Sequence, residues 1–164
     1  MSTDSMLYVF VTLRSVHIVT AALWLGSAAL LVWFVMPAAG NLAPEMIARL
    51  VRHKLHAFMA SLGGTTVLSG LLLYWHLTGL SAAGLSSHVG IVYGIAGAAG
   101  LAAAIIGGAV VGKSVVKIAE LHAAAGGATS EALVPLQRRL AAGGRLVVAL
   151  LLATLILMTA GHYI

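Results

Sequence analysis

Histidine is the residue type in this sequence whose chemistry is hardest to explain by packing alone. The 164-residue chain contains seven histidines, although it is 61% hydrophobic and only 8% charged. Neutral imidazole is a strong ligand for haem iron, copper and zinc. The chain has no cysteine, so disulfides, thiolate metal sites and cysteine nucleophiles are excluded. The histidines are therefore the candidates for cofactor chemistry.

Hydropathy indicates which elements must position these histidines. The mean hydropathy is +1.06, and charged residues are far rarer than the roughly 25% that is typical of soluble domains. A soluble globule, a disordered segment and a collagen-like fibre are excluded, which leaves an integral membrane protein. A spanning helix needs about 20 apolar residues. Four stretches qualify, and they predict an all-α, four-transmembrane-helix antiparallel bundle that forms one domain over residues 1–164, with spans at about 7–36, 56–77, 88–113 and 144–163.

The basic residues predict the orientation of this bundle. Eight of the nine Lys and Arg residues lie in two linkers, 37–55 and 113–145, and only Arg14 lies toward the other side. The positive-inside rule then places both linkers in the cytoplasm and both termini outside. We expect a multi-pass protein of a bacterial inner membrane, with the lipid bilayer as its main partner. The net charge of +5 does not indicate nucleic acid, because these residues flank spans where anionic headgroups attract them.

Small residues are concentrated in the third span and interrupt the second. In the third span they recur at a spacing of about four, from Gly90 and Gly94 to Gly108 and Gly112. Small residues at this spacing let helix backbones approach closely in lipid, so we expect tight packing. A second interpretation is that the missing side chains leave room for a flat cofactor. The linker 113–145 is rich in Gly, Ala and polar residues.

Folding the four spans back on one another places one histidine from every helix near the outer face: His17, His76, His88 and His162. The other three histidines, His53, His56 and His122, fall at the cytoplasmic face. His17 is the best candidate for function, because it has apolar residues on both sides and burial in hydrocarbon is costly without a partner. Its structural alternative is a hydrogen bond to a neighbouring carbonyl. The remaining three outer histidines are equally compatible with the aromatic headgroup belt.

Haem b is the first cofactor that suits this arrangement. His17 would be one axial ligand, and one of His76, His88 and His162 would lie opposite it. Arg14, one helical turn from His17, is placed to pair with a haem propionate. This arrangement predicts a bis-histidine site near the outer face.

Copper is the second candidate, using His17, His76, His88 and His162 directly. Met158 lies four residues before His162, hence on the same helix face, and its thioether favours Cu(I). The four acids, Asp4, Glu45, Glu120 and Glu131, all lie outside the spans. A carboxylate proton relay of the usual transporter kind is therefore disfavoured.

The first span, LRSVHIVTAALWLGSAALLVWFVMPA, resembles the opening helix of the copper resistance protein D family and of related four-helix haem-binding membrane proteins. These proteins typically show a histidine, a Trp-x-Gly about seven residues later, and an apolar run ending in proline. The matching positions here are His17, Trp24, Gly26 and Pro37. The basic lead-in and TVLSGLLLYW of the second span are similar as well, and the likeness covers roughly the first half of the chain. The resemblance implies either copper handling or b-type haem held by transmembrane histidines.

Three functions follow as expectations. The first is electron transfer by a b-type haem protein, as a membrane oxidoreductase or a subunit of one, with a redox protein or quinone as partner. The second is copper binding or transport by the same histidines. The third is a structural or assembly subunit whose histidines are interfacial. The oligomeric state, including a homo-oligomer, is left open by the sequence.

Overall fold

The computed structural model describes residues 3–39, 54–123 and 130–161, which are almost entirely helical. Four long helices pack side by side in alternating direction, and no strand occurs in these residues. Each of the four is long and apolar enough to cross a membrane: Ser5–Val35, His56–Thr78, His88–Leu121 and Ala132–Ala160. The prediction of an all-α, four-transmembrane-helix antiparallel bundle is confirmed.

The helix bounds show how each span is built. Helix α1 (Thr3–Leu30) continues through a π-helical stretch (Leu31–Val35) to Met36–Ala39, and α2 is His56–Thr78. A five-residue helix, Ala82–Ser86, connects α2 to α3 (His88–Ile106). Helix α3 continues through a π-helical stretch (Gly107–Gly112) into Lys113–Ala123, and α4 is Ser130–Ala160. We call the two ends of the bundle the Arg14 end and the Lys113 end.

The linker 113–145 is helical over most of its length. Lys113–Ala123 is helical, and α4 begins at Ser130. The segment KSVVKIAELHA alternates apolar and charged residues, so its hydropathy is low although Lys, Ala, Glu and Leu all favour the helix. Two helices therefore project beyond the apolar spans at the Lys113 end.

The surface of the bundle is apolar on all sides. Large hydrophobic side chains point outward, including Trp33 (55% exposed), Phe34 (67%), Leu68 (65%) and Ile156 (63%). The buried side chains are instead small or compact, such as Ala96 and Ala103, both 0% exposed, and Val148 at 2%. Large apolar side chains on the outside are well solvated by hydrocarbon. Close approach of the helix backbones inside the bundle requires small side chains. The distribution fits a chain surrounded by lipid.

Small residues of α3 let α2 and α4 approach it closely. A Cβ atom at Gly94 would lie 3.0 Å from Tyr74 Oη, and one at Gly100 would lie 3.7 Å from the Thr154 methyl group. Thr154 Oγ1 also donates to Ala96 O at 3.2 Å. At these positions the predicted packing role of small residues is confirmed. Gly97 differs, because a Cβ there would meet nothing within 4 Å.

Gly143 and Gly144 mark the point where three helices meet near the Lys113 end. A Cβ at Gly144 would lie 2.8 Å from Val32 Cγ2, and one at Gly143 would lie 3.0 Å from Val110 Cγ1. Val32 and Val110 belong to the two π-helical stretches. A π-helical turn contains an extra residue and shifts the helix face beyond it. Both irregular stretches thus pack against one glycine pair.

Replacing Gly144 by leucine is expected to destabilise the bundle. The new side chain would overlap Val32, whose β-branched side chain is buried and has few alternative rotamers. Overpacking of this kind costs about 1–3 kcal/mol of unfolding free energy. Gly97→Leu is the matched control, since the space beside Gly97 is open. Unfolding in mixed micelles measures the difference between the two variants, and equal stabilities would show that the glycine pair is not a tight contact.

Candidate functional site

His17 lies between α1 and α2, and its ring is held by the backbone of α2. Its Nδ1 atom lies 2.9 Å from Thr66 O and 3.2 Å from Ser69 Oγ. The imidazole packs on Gly70, where a Cβ would lie only 2.8 Å from His17 Cε1. A glycine at that position is therefore what allows the ring to lie against α2.

The contact with Thr66 O determines which nitrogen of His17 carries the proton. A carbonyl oxygen only accepts hydrogen bonds, so Nδ1 is the donor. In a neutral imidazole the other nitrogen then has a free lone pair. When His17 is neutral, its Nε2 is in this state. Fixing one ring nitrogen by a backbone carbonyl so that the other can bind a metal is the usual arrangement for a ligating histidine.

Nε2 of His17 makes no hydrogen bond within the part of the chain that the structure describes, and it is not sealed inside the bundle. Among the described residues, every buried side-chain nitrogen or oxygen has a hydrogen-bond partner. Nε2 has none, so it lies on the accessible side of this half-buried ring. At least part of the Nε2 surface is therefore accessible.

A network of hydroxyl groups supports the α1–α2 contact beside His17. Thr66 Oγ1 donates to Thr20 Oγ1 at 2.9 Å, and Thr20 Oγ1 donates to Val16 O at 2.8 Å. Ser69 Oγ donates to Thr65 O at 2.6 Å. The Thr66–Thr20 bond connects the two helices next to the imidazole, whereas the other two bonds are formed within one helix.

Trp24 packs deeper along the same face of α1. Its side chain is 5% exposed, and its ring lies 3.2 Å from the position that a Cβ of Gly63 would occupy. Trp24 is two helical turns from His17, hence on the same helix face. The Trp24–Gly63 and His17–Gly70 contacts together set the register of α1 against α2.

His76 and His88 lie near the Arg14 end, and both are exposed. The ring centroids of His76 and Phe10 are 5.1 Å apart. Six residues separate His76 from Gly70, the residue that contacts His17, which corresponds to about 9 Å along the helix axis. Tyr74 Oη donates to Gly90 O at 3.1 Å, so His88 at the start of α3 lies close to the depth of His76. His17 is thus deeper in the bundle than these two histidines.

The other predicted ligands are not gathered with His17 in the described residues. His162 lies outside them, and Met158 is half-buried on α4. Within the described ranges, no three His, Asp or Glu side chains lie close enough to hold a metal ion. Arg14 is exposed one turn from His17 and forms no ion pair with a described carboxylate.

Sequence reasoning did not identify the residues of α2 that hold His17. Thr66, Ser69 and Gly70 lie three and four residues apart, hence on one face of α2. Buried hydroxyls beside a glycine on one face of an otherwise apolar span were the available signal. The hydrogen bond from His17 to a neighbouring carbonyl is present, and it leaves Nε2 free for a ligand.

Comparison of the chain with protein-family models, with curated proteins and with solved structures finds no match. The candidate site is therefore defined by its own geometry. It consists of one imidazole, fixed at Nδ1 and open at Nε2, within an apolar four-helix bundle.

Proposed function

We propose that this chain is a membrane b-type haem protein that transfers electrons, with His17 Nε2 as one axial ligand. The tautomer of His17 carries the proposal, because the Nδ1–Thr66 O hydrogen bond leaves Nε2 unprotonated. Imidazole nitrogens in that state are the usual protein ligands of haem iron. Haem held there would supply reversible one-electron exchange. The resemblance of the first span, carried by His17 and Trp24, is compatible with this assignment and equally with copper.

The residues around His17 fit a flat, apolar group with charged edges. The exposed apolar surface of α1 and α2 offers lipid-like contact for a macrocycle. Arg14 is the nearest basic residue along α1 and lies toward the end of the bundle, where a propionate would reach water. The donor chemistry of His17 and the apolar surface around it are compatible with haem.

The second axial ligand is assigned to one of His76, His88 and His162. His76 and His88 lie about 9 Å from the depth of His17 along the helix axes. A second histidine ligand would have to reach the same group as His17, and this offset counts against both of them. Single alanine variants identify the residue, because with His17 still in place the loss of the second ligand would change the spectrum of a haem that remains bound.

We further propose that the Lys113 end faces the cytoplasm of a bacterium and that both termini lie outside. The distribution of Lys and Arg supports this orientation. The proposed haem would then lie nearer the outer face and exchange electrons with a redox protein or a membrane quinone.

Metal and haem content of the purified full-length chain test the proposal. We expect about one iron per chain, all of it recovered as haem b in a pyridine haemochrome assay, and no stoichiometric copper. Copper at one per chain without iron would overturn the haem proposal in favour of copper binding. Neither metal, after expression with added haem precursor and copper, would leave the structural-subunit alternative.

A further inference from the structure

A cationic cavity lies between the Lys113–Ala123 extension of α3 and the first turns of α4. Its volume is about 280 Å³, and it is lined by Ala109, Lys113, Ser114, Lys117, Leu136 and Arg139. Three of these six residues are cations and none is an acid. Cations gathered in one cavity repel one another unless an anion lies among them. The lining therefore favours an anionic ligand.

A second cavity, on the α2 side of Lys113 and Lys117, has a different charge. Its volume is about 310 Å³, and Glu120 and His56 are part of its lining. Lys117 Nζ donates to Glu120 Oε2 at 3.2 Å. This is the one ion pair among the described residues, so Lys113 and Arg139 have no described carboxylate as partner. Among the described residues, the cavity beside α4 thus contains two cations, Lys113 and Arg139, without a carboxylate partner, whereas the charge of Lys117 is paired with Glu120.

The depth of the cavity beside α4 matches that of lipid headgroups. Residues 88–112 are helical, and these 25 residues (112 − 88 + 1) span about 37 Å. The hydrocarbon core is about 30 Å thick, so Lys113 lies at or just beyond its edge. Ala109 and Leu136 provide an apolar side next to the cations. A phospholipid combines the two matching features, because its negatively charged phosphate is joined to apolar acyl chains.

We propose that this cavity binds the phosphate group of an anionic phospholipid in the leaflet at the Lys113 end. Lys113 and Arg139 approach the phosphate from α3 and α4, and Lys117 adds a third charge one turn farther from the hydrocarbon. Basic pockets between transmembrane helices are known to select acidic headgroups in this way. A bound lipid would join the two helix extensions, which project beyond the apolar spans.

Titration of the detergent-purified chain with short-chain phosphatidylglycerol tests the proposal, with native mass spectrometry counting bound lipid. Arg139→Ala is the test variant, and Arg138→Ala is its matched control, because Arg138 is exposed and lines neither cavity. Removal of one headgroup-facing cation is expected to weaken binding about fivefold. We expect this loss in Arg139→Ala and Lys113→Ala, and unchanged binding in Arg138→Ala. Thermal melting of each variant verifies that the fold is retained.

Two further probes identify the source of the phosphate. Short-chain phosphatidylcholine is expected to bind more weakly than phosphatidylglycerol, and inorganic phosphate is expected not to compete at equal concentration. Equal effects of Arg138→Ala and Arg139→Ala on lipid binding would show that the lipid is attracted by the overall positive charge of this surface. That result would contradict a binding site at the cavity. Equal binding of both lipids, competition by inorganic phosphate, or no saturable binding would each overturn the assignment to an anionic lipid.

Discussion

Replacement of His17 by alanine is expected to abolish haem binding. The substitution removes Nε2, the ring nitrogen of His17 that would bind the iron, and leaves Ser69 Oγ as the remaining side-chain donor to Thr66 O. Loss of an axial ligand together with its fixed geometry should weaken haem affinity by more than about 100-fold, since loss of a supporting hydrogen bond alone costs about 10–100-fold. Haemin titration of the apoprotein, followed by the Soret band, measures the change.

The matched control for this substitution is His56→Ala. His56 is also a histidine of α2, but it is exposed at the Lys113 end and packs near Gly112 instead. Its removal should leave haem affinity unchanged. Added imidazole should restore binding to His17→Ala, because it can occupy the space left by the side chain. Full haem occupancy in His17→Ala, or equal loss in both variants, would contradict the assignment of His17 as a ligand.

Replacement of Gly70 by valine is expected to displace the cofactor without removing any histidine. The new Cβ would lie 2.8 Å from His17 Cε1, and the ring is the part of the contact that can move. As the ring rotates away, Nδ1 loses Thr66 O and the direction of Nε2 is no longer fixed. We expect haem affinity to fall about 10–100-fold, as for other losses of a ligand's supporting contacts.

Gly64→Val separates this steric effect from a general effect of valine in α2. Gly64 belongs to the same helix, and a Cβ there would meet nothing within 4 Å. The two variants should have similar helix content and similar melting temperatures. Only Gly70→Val should lose haem and show a changed axial-ligand spectrum. Equal haem affinities for the two would mean that the position of the His17 ring does not control binding.

The sequence predicts the spans well because hydropathy is summed over a whole helix. About 20 apolar residues in a row have few alternatives to a spanning helix, and the four helices lie close to the predicted ranges. The extension Lys113–Ala123 was not predicted, since hydropathy is low where a helix leaves the apolar region. Helix propensity, rather than hydropathy, was the informative property there.

The register between helices could not be predicted from the sequence. Gly63, Gly64 and Gly70 all lie in α2, and only the packing shows that Gly70 contacts His17, that Gly63 contacts Trp24 and that Gly64 is open. The depth of His17 below His76 depends on the same register. Residue spacing within one helix predicts the helix face and the membrane depth of each side chain. Contacts between helices depend also on which glycine of one helix packs against which aromatic ring of the other.

The central claim, a redox-active haem on His17, is tested most directly by the visible spectrum of the purified wild-type chain before and after dithionite. The account predicts a Soret band that shifts on reduction, sharp α and β bands typical of two nitrogen ligands, and return to the oxidised spectrum in air. A purified chain that shows no Soret band after expression with haem precursor, or one whose spectrum does not respond to dithionite, would contradict it.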